Sequence, residues 1–139
     1  MKLLLDADVV IGALDANDVH HQEAHGLFEG WNEHGDTRLI SVVNLTEVLV
    51  APAADPAKLA VAREAIAALG VAAHQPSETI AVDAARLRGR HPISVPDAYC
   101  LATAKQTAST IVSFDDRLLR AADSEPGIAA IGSRRPPSP

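Results

Sequence analysis

Cysteine, aromatic residues and lysine are scarce in this sequence, and each scarcity removes a class of protein. A single cysteine, Cys100, cannot close an internal disulfide or build a cysteine-based zinc site, so secreted disulfide scaffolds and zinc fingers are excluded. Four aromatic residues and 26 alanines leave a core of small aliphatic side chains. No apolar run approaches the roughly 20 residues of a membrane span. The opening MKLLLDADVV is broken by Asp6 too early for a signal peptide, so a cytoplasmic chain free of the membrane is expected. Basic residues are few as well: 12 stand against 18 acids, for a net charge of −6. Residues 1–60 hold 3 basic and 10 acidic side chains, whereas 61–139 hold 9 and 8. So acidic a chain is no ordinary electrostatic clamp for nucleic acid. If its substrate is a polyanion, bound cations or a local arginine patch must offset the repulsion.

What is present is the balance of a globular protein, 47% apolar and 22% charged, with enough residues for one core and no more. Strand-like apolar runs alternate with helical periodicity. Lys2–Leu5, Arg38–Val42, Val71–Ala73, Thr110–Phe114 and Ile128–Ile131 read as strands. Between them lie helical stretches. Ala7–Leu14 is the first, and a second is capped by Asn17-Asp18, carries Ala24, Phe28 and Trp31 on one face, and stops at Gly35. Asn44–Val50 follows, then a face of Leu59, Ala62, Ile66 and Leu69 closed by Gly70. A helix opened by Pro76-Ser77 carries Ile80, Ala84 and Leu87; another starts near Pro96; Arg117–Ala122 is the last. This alternation predicts an α/β domain over residues 1–132 with a mostly parallel sheet, and a disordered proline-rich tail over 133–139.

Active sites in such sheets lie at the carboxyl ends of the strands. Two strands end in acid, at Asp6 and at Asp115-Asp116, and two more acids, Glu47 and Asp97, fall where helices begin near that edge. Converging carboxylates repel one another and take up protons unless a cation joins them. Oxygen-only ligands suit Mg²⁺ or Mn²⁺, and such an ion activates water and holds phosphate. Each acid also has a structural reading. Asp115 or Asp116 could cap Arg117–Ala122, Glu47 could close a capping box with Asn44, and Asp97 could complement a helix dipole. Asp6 is the hardest to explain structurally, because a lone carboxylate ending a buried strand costs stability.

Four segments in order, LLLDADVVIGALDANDVHH, SVVNLTEVLV, VPDAYCLATAKQ and IVSFDDRLLRAA, resemble the PIN-domain ribonucleases, most closely the VapC-type toxins of bacterial toxin–antitoxin pairs. The resemblance runs from about Lys2 to Ile131 and implies a PIN-like α/β fold. It implies an endoribonuclease that hydrolyses RNA through a metal-activated water, with Asp6, Glu47, Asp97 and Asp115 as its catalytic, metal-binding acids. It also implies Mg²⁺ or Mn²⁺ as cofactor, a homodimer and a cognate antitoxin. Two departures stand out: Asp8 replaces the usual Asn or Ser, adding a fifth carboxylate, and Ala7 replaces a hydroxyl residue. Ser113 stands where Thr is frequent, and Asp116 could share the role of Asp115.

The remaining polar residues point less sharply. Arg86, Arg88 and Arg90, with His91, could contact RNA or antitoxin, or could be a solvated helix end; His20 and His21 read as solvated surface. Phe28 and Trp31 read as core, or with Val19 and Leu27 as a groove for a partner's helix. Two other functions compete. LLLDADVV also resembles the opening motif of haloacid-dehalogenase-type phosphatases, with Asp6 as nucleophile, Asp8 as acid/base, a hydroxyl at Ser41 and metal acids at Asp115 and Asp116. That reading leaves Glu47 and Asp97 unused and lacks a well-placed lysine. A non-enzymatic interaction module would leave every acid as a cap or surface charge.

Overall fold

The computed structural model describes residues 1–132, so the expected tail over 133–139 lies outside the described residues. The apolar runs form five strands, β1 (Lys2–Leu5), β2 (Thr37–Ser41), β3 (Val71–His74), β4 (Thr110–Ser113) and β5 (Ala129–Gly132). They pair parallel in the order β3-β2-β1-β4-β5. The intervening helices are α1 (Ala7–Leu14), α2 (His21–His34), α3 (Val42–Leu49), α4 (Pro56–Ala68), α5 (Glu78–Arg90), α6 (Val95–Thr107) and α7 (Asp116–Asp123), with a 3-10 turn at Pro52–Ala54.

β1 is central because its residues are apolar on both faces. Leu3, Leu4 and Leu5 are all at most 1% exposed, and successive side chains point to opposite sides of the sheet. Leu4 and Ile111 join a core with Ile80, Leu87, Leu101 and Leu118 from α5, α6 and α7. Leu3, Leu5, Ile40 and Val112 join the other core, with Val9, Phe28, Trp31, Val48 and Ile66 from α1 to α4. Each large aliphatic side chain so enclosed stabilises the fold by about 1.5–3 kcal/mol. Phe28 and Trp31 meet edge to face, 4.8 Å between centroids, so they are core and not the walls of an open groove.

Two helix starts differ from the sequence reading. Asn17-Asp18 does not cap α2; Asp18 Oδ1 accepts from the His20 N–H within the preceding turn, and α2 begins at His21 without a side-chain cap. α3 begins two residues earlier than expected, because Ser41 is its N-cap and accepts from the Val43 N–H. Gly35 does close α2, in the left-handed conformation (φ 67°) that glycine adopts without strain.

The sheet order reverses between β1 and β4. β1 runs on towards β2 through α1 and α2 on one side, while β4 flanks it on the other. This switch point opens a crevice at the carboxyl ends of the two central strands.

Candidate active site

Asp6 follows β1 directly. Its N–H donates to the Val112 carbonyl (2.9 Å), extending the β1–β4 ladder by one residue and carrying the side chain to the crevice. Asp6 Oδ1 caps α1 by accepting from the Ala7 N–H (2.8 Å), and Oδ2 accepts from Ser113 Oγ (2.7 Å). The residue is 5% exposed. Burial, followed by the charges of Asp8 and Asp97, pushes its carboxyl up to about 8, against the opposing Ser113 and Ala7 hydrogen bonds. Ser113, itself fully buried, also accepts from the Asp115 N–H (3.0 Å), so one hydroxyl ties the acid of β1 to the turn after β4.

Asp8 lies in the first turn of α1 and reaches the same turn. Its Oδ2 accepts from the Phe114 N–H (3.0 Å), while Oδ1 is buried with no hydrogen-bond partner among the described residues. Burial, then the charge of Asp115, raises Asp8 to about 6; the Phe114 hydrogen bond and the nearby His20 ring pull the other way. Asp97 sits in the first turn of α6, where Ser94 caps the helix by accepting from the Asp97 N–H (3.2 Å). Half-buried, it is raised by burial first, then by Asp115 and Glu47. Asp115 is the N-cap of α7, accepting from the Arg117 N–H (2.9 Å), so the structural reading of this residue holds alongside its place in the cluster. Glu47 projects from α3 at the exposed rim, where its Oε1 accepts from Asn44 Nδ2 (3.0 Å).

The fold thus gathers Asp6, Asp8, Asp97, Asp115 and Glu47 at one edge, close enough for Asp8 and Asp97 to raise Asp6, for Asp115 to raise Asp8 and Asp97, and for Glu47 to raise Asp97. It does not gather Asp116, which is exposed in the first turn of α7 while Asp115 is the acid felt by Asp8 and Asp97. Among the described residues no three acids, histidines or cysteines form a ready-made metal cage. The donor chemistry nonetheless fits a hard divalent cation. Every donor is an oxygen, one buried Asp8 oxygen is unpartnered among the described residues, and burial together with neighbouring acids raises Asp6, Asp8 and Asp97, a cost that a cation would relieve.

Other expectations change. Asn44 and Glu47 form no capping box, since Ser41 is the cap; Asn44 is instead buried and bridges Glu47 to the Pro96 carbonyl (3.2 Å). The serine ending β2 was the available signal for this. His20 and His21 are not solvated surface. His20 is half-buried and stacks on Phe114 at 4.4 Å, and His21 Nδ1 donates to the Gly12 carbonyl (2.7 Å), joining α2 to α1. Arg90 and His91 both bind Glu125, while Arg86 and Arg88 remain exposed on α5. An open apolar groove lies between α1, α3 and α4. It is a cavity of about 510 Å³ whose wall includes Ile11, Leu14, Val48, Val61 and Ala65, with Glu47 at its rim.

A family model described as "PIN domain" matches residues 3–124. No curated protein matches the chain. Several solved structures share its fold. A toxin–antitoxin complex from Klebsiella pneumoniae is 23% identical with a TM-score of 0.70, covering 91% of this chain and 95% of its own. VapBC2 from Rickettsia felis, bound to a promoter DNA fragment, is 13% identical with a TM-score of 0.74, covering 96% and 100%. VapC20 from Mycobacterium tuberculosis, a toxin that cleaves the sarcin–ricin loop, is 15% identical with a TM-score of 0.68, covering 86% and 94%.

Proposed function

Since the chain belongs to the PIN-domain family, we propose that it is a divalent-metal-dependent endoribonuclease, the toxin of a VapBC-type toxin–antitoxin pair. One observation carries this reading: five carboxyl groups from four separate elements meet at the β1/β4 switch point, and the most buried is pushed up to about 8 by burial and by the charges of Asp8 and Asp97. A bound Mg²⁺ or Mn²⁺ supplies Lewis-acid polarisation of a phosphoryl oxygen and lowers the pKa of water.

The chain's own residues do the rest. Asp6 and Asp97 are the main ligands, and Glu47 and Asp115 complete the pocket, in part through water. Asp8 adds a fifth carboxylate whose free oxygen points to a further contact. Ser113 holds the Asp6 carboxylate in one orientation through its 2.7 Å hydrogen bond. By the family resemblance, the products would carry 5′-phosphate and 3′-hydroxyl ends. Glu47 and Asp97 have no role in the phosphatase reading, and the Ser41 hydroxyl it requires is buried as the cap of α3.

The partner we propose is an antitoxin, by analogy with the toxin–antitoxin complexes that share the fold. The apolar groove between α1, α3 and α4 suits an amphipathic helix, and an arginine beyond it could pair bidentately with the acids and silence the site. No described helix is long and apolar enough to cross a membrane; the toxin of this proposal is a cytoplasmic homodimer.

Incubation of the purified chain with single-stranded RNA tests the reading. We expect cleavage with Mg²⁺ or Mn²⁺ that stops with a chelator. Asp6→Asn and Asp97→Asn should each lose more than the roughly 10–100-fold that loss of an outer-sphere partner costs. Full cleavage by both variants would refute the mechanism.

A further inference from the structure

The acidic edge contains one buried amide that the proposed mechanism does not use. Asn44 lies in the first turn of α3, fully buried, and its Nδ2 group donates both hydrogens: one to Glu47 Oε1 (3.0 Å) and one to the Pro96 carbonyl (3.2 Å). Both partners are acceptors, so the amide can stand only this way round. The first partner is the rim acid itself. The second belongs to the residue immediately before Asp97, and the bond to it crosses 52 positions of sequence. Asn44 therefore joins the helix that carries Glu47 to the helix that carries Asp97.

This residue is costly to keep. Its Oδ1 is buried without a partner among the described residues, and asparagine is a poorer helix former than alanine or leucine. Neither partner requires it structurally, since Glu47 is exposed to water and Pro96 lies in the first turn of α6. A fully buried position of this kind is better filled, for stability alone, by an apolar side chain. What the amide does supply is geometry. A glutamate on an exposed helix surface otherwise samples many rotamers and must give up that freedom when it is recruited to a ligand. Tied to Asn44, Glu47 is held near enough to Asp97 for the two carboxylates to repel.

We propose that Asn44 is a positioning residue that holds Glu47 against the Asp97 end of α6 and thereby sets the affinity of the acidic edge for a divalent cation. The proposal rests on the metal-dependent reading above and extends it to a residue outside the acids.

Calorimetric titration of Mn²⁺ into the full chain tests it, using wild type, Asn44→Ala, Glu47→Ala and the double variant. Thermal unfolding of each is followed in chelator. We expect Asn44→Ala to bind Mn²⁺ about tenfold more weakly, as loss of an outer-sphere partner does, while unfolding no more than a few degrees below wild type. In the Glu47→Ala background the same change should cost almost nothing, because the two residues act as one unit. If Asn44→Ala does not fold, Asn44→Thr replaces it, since one short hydroxyl cannot serve both acceptors. Wild-type affinity in the folded variant would overturn the proposal, as would an equal loss with and without Glu47. A wild-type chain that takes up no Mn²⁺ would overturn the metal reading and this inference with it; Mn²⁺ uptake unaffected by Asn44 would overturn the inference alone.

Discussion

At the end of α5, the Glu125 carboxylate accepts from Arg90 Nε (3.0 Å) and Nη2 (3.2 Å) and from His91 Nε2 (2.6 Å). At the end of β1, the Asp6 carboxyl accepts from one hydroxyl and one backbone N–H, and the charges nearest to it are other acids. The two sites move their carboxyls in opposite directions. Hydrogen bonds from Arg90 and His91 hold Glu125 below the usual carboxylate range, whereas burial and like charge lift Asp6 far above it. The first site is complete within the chain and clips the segment after α7 to the end of α5. The second has no basic side chain among the groups that shift it. A carboxylate compensated by its own protein is architecture; one left uncompensated at a strand end invites a ligand.

The largest effect that can break this comparison is the pH dependence of metal-free stability. A carboxyl raised in the native state binds protons there that the unfolded chain has already released, so stability falls as pH rises. For Asp6 the loss begins near the ordinary 3.8 and is complete above about 8; for Asp8 it is complete above about 6. Chemical denaturation in chelator should lose on the order of a few kcal/mol between pH 4 and pH 8. Asp6→Asn should flatten most of that slope. A wild-type profile level across the window would remove the contrast.

Next in size is the response to metal. At pH 8 and a hundredfold excess over its dissociation constant, Mn²⁺ should stabilise wild type by about 2.7 kcal/mol. For a chain of this size that corresponds to a rise in Tm of roughly 5–15 °C. Asp6→Asn and Asp97→Asn should respond far less in the same thermal scan.

The smallest effect belongs to the compensated site. Glu125→Ala should cost no more than about 1 kcal/mol near neutral pH, because Arg90 is half exposed and water screens the pair. The sign is the reverse of that at Asp6. The Glu125 contribution is present above its unfolded value of 4.5 and disappears as pH falls through its lower native value, so wild type and variant should converge in acid. Mn²⁺ affinity should not change, and a change there would show that the two sites are coupled.

Much of this architecture was legible in the sequence because it is written in local periodicity. β1, with three buried leucines followed by an acid, and the face of Ile80, Ala84 and Leu87 both emerge as read. The strand ends carrying Asp6 and Asp115 followed from the same pattern. Errors gathered where two local signals compete for one role. Ser41 and Asn44 both suit a helix start, and the serine takes it; Asp18 suits a cap and closes a turn instead. Contacts across long stretches of chain were not legible at all. Nothing in the spacing of Arg90 and Glu125, 35 residues apart, or of Asn44 and Pro96, announces a bond. Glu47 and Asp97 are expected near the acidic edge from their places at helix starts, but that α3 and α6 meet there is decided by strand order, which periodicity does not give.

The placement of β1 has a consequence for how the molecule comes into being. The central strand β1 is translated long before its neighbour β4, and the Asp6–Ser113 hydrogen bond closes a span of 107 residues. Until that partner is translated, Asp6 has neither the hydroxyl that orients it nor the ladder that buries its strand. The acidic edge therefore cannot assemble until β4 has been translated, and a chain terminated before β4 never assembles it. For the ribonuclease proposed above, this order of strands would withhold activity until both central strands have been made.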